Sequence, residues 1–185
     1  NFILHDIEIP NLKHDNSLDK NVRDIKADEK VDIVVTNPPF GGQEKKETQS
    51  NFPQTLRSSE TADLFLVLIM FILRDQGKAG IVLPDGSLFG EGAKTRIKEK
   101  LLSEFNLHTI VRLPVGVFNP YTGIRTNLLF FTRGESTKEI WYFEHPLPEN
   151  REGKPYTKTQ PIRDEEFELE KEWWNDRENS KFKEY

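Results

Sequence analysis

The sequence predicts an α/β domain with a mostly parallel sheet and one antiparallel edge hairpin. Short β-branched runs at residues 31–36 and 79–83 each stop at proline, with an apolar helical stretch between them and a charged amphipathic one after the second. Two further apolar runs, 107–113 and 127–132, are separated only by the turn-rich Asn119-Pro120-Tyr121-Thr122-Gly123. Strands that alternate with helices pair in parallel, whereas strands joined by a turn pair antiparallel.

Val31-Asp32-Ile33-Val34-Val35-Thr36 reads as a buried strand that ends where Pro38 and Pro39 remove ladder donors. Residues 41–57 are polar, and a loop of that length in a compact domain is functional or disordered. Residues 61–75 read as a helix apolar nearly all round, with Asp63 at its positive end and Gly77 just beyond it. The strand at 79–83 ends at Pro84-Asp85-Gly86, and an amphipathic helix follows at 94–105. A further strand is expected at 138–143. Beyond His145 the composition turns charged and Pro-rich, with a helix at 164–177 whose Trp173 and Trp174 anchor it to the body or to a partner. The division expected is therefore 1–145 as the domain body and 146–185 as a charged tail.

A chain of 185 residues needs one core. With no cysteine it holds neither disulfides nor thiolate metal sites, which suits a cytoplasmic protein, and no metal site is expected. The longest apolar run, Leu64 to Leu73, is ten residues, well short of the ~20 that span a bilayer, so no membrane role is expected. His5, His14, His108 and His145 show no ligand spacing and read as exposed or satisfied structural residues. The net charge of −5 is the wrong sign for holding nucleic acid by charge alone. Residues 144–185 carry twelve acids and eight bases, which leaves the rest at −1. Any grip on DNA must then be local or shared with a partner.

The segment with specific chemistry is Asn37-Pro38-Pro39-Phe40. Ligands of open α/β sheets sit beyond the carboxyl ends of strands, and that is where a neutral amide, two rigid prolines and an aromatic ring fall. An exocyclic amine is a poor nucleophile because its lone pair is delocalised into the ring. Two acceptors drawing on its hydrogens, Asn37 Oδ1 and the Pro38 carbonyl, favour a tetrahedral nitrogen. Asn37 cannot take a proton near neutral pH, so the motif positions and polarises. Phe40 suits stacking on a base drawn out of its duplex. A plain strand-ending turn is the competing reading, since Asn-Pro and Pro-Pro are common turn dipeptides.

VDIVVTNPPFGG resembles the catalytic motif of adenine-N6 amino-methyltransferases. GIVLPDGSLFG, IVRLPVGVF, TGIRTNLLFF and the tail segments YTKTQPIRDEEFE and EWWNDRENS resemble, in order, segments of the methylation subunits of type I restriction-modification systems. The resemblance implies a Rossmann-like S-adenosylmethionine-dependent methyltransferase fold, with residues 1–145 as the target-base part of the catalytic domain. It implies S-adenosylmethionine as cofactor, a flipped adenine in DNA as acceptor, and DNA-specificity and restriction subunits as partners. Members of the family place a glycine-rich donor-binding turn upstream of the segment resembling NFILHDIEIPNLKHDNSL. The chain therefore reads as truncated at its amino end, inactive when isolated, and prone to self-association through an exposed strand edge.

Asp15 and Asn16 fall where the family contacts the donor's adenine. The expected acid aligns better with Asn16 than with Asp15, and a plain turn is the other reading. Arg125 and Asn127 are candidates for contact with DNA or the flipped base, against ordinary loop roles. Gly90-Glu91-Gly92 lacks the third glycine and the leading strand of a dinucleotide turn, and Gly92-Ala93-Lys94-Thr95 lacks the spacing of a phosphate loop. The alternatives are methylation of a protein glutamine or an RNA guanine, which share the N-P-P-aromatic core, and a non-catalytic assembly fragment.

Overall fold

The computed structural model describes residues 4, 6–148, 151, 153–179 and 181. Five strands, β1 (Val31–Thr36), β2 (Leu73–Pro84), β3 (Phe105–Arg112), β4 (Thr126–Arg133) and β5 (Trp141–Glu144), form one sheet in the order β1-β2-β4-β3-β5. β1 pairs with β2, and β3 with β5, in parallel, while β4 is antiparallel to both β2 and β3. Four strands thus share one direction and β4 alone opposes them. With helices on its faces, the arrangement is an α/β Rossmann-like fold.

The antiparallel pairing differs from expectation in its place, which is inside the sheet and not at its edge. The composition of β4 explains this. Leu129 and Phe131 are fully buried on one face while Leu128 and Phe130 pack on the other, and a strand apolar on both faces belongs between neighbours. β5, with exposed Tyr142 and Glu144 beside buried Phe143, takes the edge.

The helices are α1 (Lys46–Ser50), α2 (Thr61–Ile72), α3 (Asp85–Leu88), α4 (Ala93–Glu104) and α5 (Glu168–Asn175). α2 and α4 cover one face, where Leu64, Val67, Ile69 and Met70 pack with Ile81, Leu83, Leu129 and Phe131. α2 stops at Ile72, short of the expected 75, because Leu73 pairs with Val31. The chain then irregularly regains its ladder at Lys78 opposite Ile33, turning through Gln76 at φ +59°. Gly77 accordingly lies within β2 and does not cap the helix. The polar stretch 41–57 is ordered, which sets aside the disordered one of its two readings. It holds α1 and a 3-10 turn at Gln54–Leu56, fastened by fully buried Phe52 and by Arg23 and Arg57 donating to the Phe52 carbonyl at 3.1 and 3.0 Å.

The tail packs on the opposite face at the β3 and β5 end. A 3-10 turn, Asp164–Phe167, leads into α5, which ends at Asn175. Trp173 is buried against Phe143 at a centroid distance of 4.9 Å, and Trp174 meets Phe130 at 5.0 Å. Of the two anchoring options, the tryptophans take the body. His145 is buried and hydrogen-bonded through Nδ1 to Glu170 of α5, but its Nε2 is buried without a partner among the described residues, so it is structural yet only half satisfied, while His5 lies outside the described residues. Among the described residues no helix is long and apolar enough to cross a membrane.

Candidate active site at the end of strand β1

β1 makes its last pair, Thr36 with Ile81, and the chain passes into Asn37 at the carboxyl end of the sheet. Asn37 is exposed, and its amide has no hydrogen-bond partner among the described residues. Pro38 is buried and Pro39 exposed. Phe40, half-buried, meets the Phe118 ring edge-on at 5.4 Å between centroids and 75° between planes.

Behind the motif the backbone is pinned to α2. Gly41 has φ +74°, a conformation that L side chains rarely adopt. A Cβ on Gly42 would lie 2.5 Å from Thr61 Oγ1, so only glycine permits this approach. Thr61 N donates to the Gly42 carbonyl at 3.0 Å, and its hydroxyl donates to Glu44 at 2.7 Å. Two residues on, Asp63 stands in the first turn of α2, at the positive end where the sequence put it. It is buried and accepts from Ser58 Oγ at 2.7 Å and Lys94 Nζ at 2.8 Å. Burial opposes the Lys94 charge, but hydrogen bonds to Asp63 and Glu60 outweigh it and hold its pKa above the usual lysine value. Lys94 is thus a tie between α4 and α2, in keeping with the failed phosphate-loop spacing around it.

Phe118 lies in the loop from Leu113 to Arg125 that joins β3 to β4. It was not singled out from the sequence, because a lone aromatic in a turn has no periodicity. Its only signal was membership of the segment IVRLPVGVF. At the end of the same loop Arg125 is half-buried, lines a cavity of about 500 Å³ with Pro114, Val115, Glu144 and His145, and forms no ion pair among the described residues. Asn127 differs, being 3% exposed with its amide nitrogen donating to Asp85 Oδ1 at 2.7 Å. Phe40 and the loop bearing Phe118 and Arg125 are therefore brought together, while Asn127 is set into their support.

Asp15 and Asn16 occupy an exposed turn. Asn16 spends its amide locally, accepting from Leu18 N at 3.1 Å and donating to Asp19 at 2.8 Å. Asp15 Oδ1 accepts from Asn16 N at 2.9 Å, and its Oδ2 has no partner among the described residues. Buried Leu18 and Asn51, whose amide donates to the Leu18 and Asp19 carbonyls at 3.0 Å, fasten this turn to the body.

β1 is an edge strand. Ile33 is 68% and Val35 84% exposed, so the run that reads as buried from its composition instead presents the exposed strand edge that was expected of this chain. Beside them the sheet face left uncovered by α5 forms an apolar groove of about 540 Å³ running from Ile33 and Val35 past Gly80 to Phe130 and Trp174.

Comparison with known proteins gives this geometry a family. The model of the N-6 DNA methylase family matches residues 1–185. The methylase subunit of the type I restriction enzyme EcoEI of Escherichia coli is 57% identical over 175 residues, covering 94% of this chain and 35% of that subunit. The crystal structure of a modification subunit assigned to a type I restriction enzyme of Vibrio vulnificus YJ016 superposes with a TM-score of 0.89 at 48% identity, over 95% of this chain and 37% of its own. That of the type I restriction enzyme EcoKI M protein gives 0.66 at 29% identity, over 90% and 35%. The chain spans about a third of the length of these relatives.

Proposed function

The chain belongs to the N-6 DNA methylase family, and from that footing we propose that it is the target-base part of a site-specific DNA adenine-N6 methyltransferase, the modification subunit of a type I restriction-modification system. Residues 1–145 form the catalytic part and 146–185 the charged tail. The observation that carries this reading is the exposed amide of Asn37 at the end of β1, without a partner among the described residues, beside a buried proline and an aromatic pair.

Asn37 Oδ1 and the Pro38 carbonyl accept the two hydrogens of the adenine N6. They draw the nitrogen toward a tetrahedral form whose lone pair is available. The prolines keep both acceptors in register. Because Asn37 cannot be protonated near neutral pH, the N6 proton leaves to solvent after the nitrogen has reacted. Phe40 stacks on the flipped base, and Phe118 closes the platform edge-on; stacking of this kind contributes about 1–3 kcal/mol, which offsets extraction of the base from its duplex. Arg125, which forms no ion pair among the described residues, is the group of the loop that reaches DNA. Asn127 reaches DNA only through the loop it supports.

S-adenosylmethionine, when bound, supplies a methyl group on a sulfonium that a neutral amine can attack. The residues present suit it in part: Asp15 keeps one carboxylate oxygen without a partner among the described residues, able to accept from the donor, whereas both ends of the Asn16 amide are spent within the turn. A chain that spans about a third of its relatives' length leaves further donor contacts to the rest of the enzyme and is inactive when isolated. The whole enzyme works in the cytoplasm with DNA-specificity and restriction subunits, the former reading sequence, which agrees with the weak net charge of this chain.

The test is transfer of a labelled methyl group from S-adenosylmethionine by the enzyme carrying this chain to duplex DNA, RNA and protein offered in parallel, followed by nucleoside and amino-acid analysis. Label on adenine N6 supports the reading. Label on protein glutamine or on RNA guanine overturns it.

A further inference from the structure

We infer that Asp85 is a positioning residue for the aromatic platform, clamping both stems of the loop that carries Phe118. The loop leaves the sheet after Arg112, the last residue of β3, and re-enters it at Thr126, the first of β4. Asp85 bonds on both sides of that opening. Its Oδ2 accepts from Arg112 Nη2 at 2.9 Å, and its Oδ1 accepts from Asn127 Nδ2 at 2.7 Å. Its backbone N–H donates to the Arg125 carbonyl at 3.1 Å. A bond from Leu113 N to the Thr126 carbonyl, at 3.0 Å, closes the loop's neck above the clamp.

The clamp is itself anchored. Pro84, paired with Thr126 in the ladder, delivers Asp85 to the first turn of α3, whose end returns a hydrogen bond from Phe89 N to the Asp85 carbonyl at 3.1 Å. A carboxylate fits the task because it has two acceptor oxygens, one for each stem, where an amide has one. Arg112 depends on it: its Nε is buried without a partner among the described residues, and its one ion pair there is with Asp85. Strand β2 thereby dictates where the β3–β4 loop sits, and so where Phe118 meets Phe40.

This inference rests on the proposed function for what the platform binds, but not for its geometry, and the two can be tested apart. The chain is labelled with fluorophenylalanine, and the resonances of residues 40 and 118 are assigned with Phe40→Leu and Phe118→Leu. In Asp85→Ala the Phe118 signal should move to the position it takes in Phe40→Leu, with the buried Phe105 and Phe131 signals unmoved. Asp85→Asn, which keeps one acceptor, should move it part of the way. A Phe118 signal unchanged in both variants, or core signals shifted as far as that of Phe118, overturns the inference; should Asp85→Ala fail to fold, Asp85→Asn decides by the same criterion. In the intact enzyme Asp85→Ala should lower kcat by about tenfold or more, since misplacement by ~1 Å costs up to ~100-fold, with KM for the donor unchanged. Loss of kcat together with a raised donor KM would mark a general structural role and overturn it. A wild-type enzyme that methylates no adenine would sink the functional reading and leave the fluorine result standing.

Discussion

The rings of Phe40 and Phe118 pack edge-to-face at 5.4 Å between centroids, joining the end of strand β1 to the loop between β3 and β4. If this pair is the platform for a flipped base, truncating either ring should cost about 1–3 kcal/mol of transition-state binding. Phe40→Ala and Phe118→Ala should each lower kcat/KM for duplex DNA by roughly fivefold to a hundredfold. With 2-aminopurine at the target adenine, both should also leave more unstacked, bright fluorophore. Equal kcat/KM in Phe118→Ala would confine base contact to Phe40.

The bare edge at β1 carries a second expectation. Ile33 and Val35 are exposed on a strand whose outer edge has no partner among the described residues, beside an apolar sheet face, a template for pairing with another chain. The isolated chain should scatter light as a dimer or larger species. Val35→Lys, which places a charge on that strand, should shift it toward monomer. A stable wild-type monomer whose β1 amides exchange freely would contradict this.

Lys94 is expected to matter for stability. Its charge is matched to buried Asp63 at 2.8 Å and to Glu60 at 2.9 Å. Lys94→Met would leave Asp63 buried with Ser58 alone, and breaking such a pair from one side costs about 3–5 kcal/mol. Urea unfolding should show a lower midpoint with an unchanged slope. A loss well under 1 kcal/mol would mean that Asp63 regains solvent or a proton at little cost.

His108 should make stability sensitive to acid. Burial, then the nearby charges of Arg177 and Lys78, hold its pKa below the ordinary imidazole value. A depressed folded-state pKa favours the neutral ring. Its contribution is therefore complete above the unfolded value of about 6.5 and is lost as pH falls through the lower folded value. Because His108 contacts Trp174 edge-on, the loss should be felt at α5. Thermal melts should decline through this window less steeply in His108→Gln. A titration midpoint for His108 at or above 6.5 in proton NMR would contradict the assignment.

Much of the molecule was legible in its sequence where local chemistry decides. Two prolines after VDIVVT mark the strand end that carries the site, and an apolar helix beside four apolar runs marks an α/β core. Trp173 and Trp174 signalled docking of the tail, and they dock. What could not be read is set by distant partners. The interior place of β4 follows from having two faces to fill, which periodicity along one strand does not reveal. β2 begins at Leu73, inside a stretch that reads as the polar end of a helix, because Val31 is there to pair with it. Phe52 orders a loop that its polar neighbours disguise, and Asp85 gains its meaning only when Arg112 and Asn127 arrive on either side.

The central claim is that Asn37 and Pro38 hold the exocyclic amine of an adenine, and the measurement that tests it most directly is single-turnover methylation of duplex DNA by the intact enzyme with and without Asn37→Ala. The account predicts label on adenine N6, and a fall in the single-turnover rate of about 10²–10³ in the variant, as when a donor or acceptor aimed at a reacting group is removed, with donor affinity unchanged. An unchanged rate in Asn37→Ala, or label that appears elsewhere than on adenine N6, would contradict it.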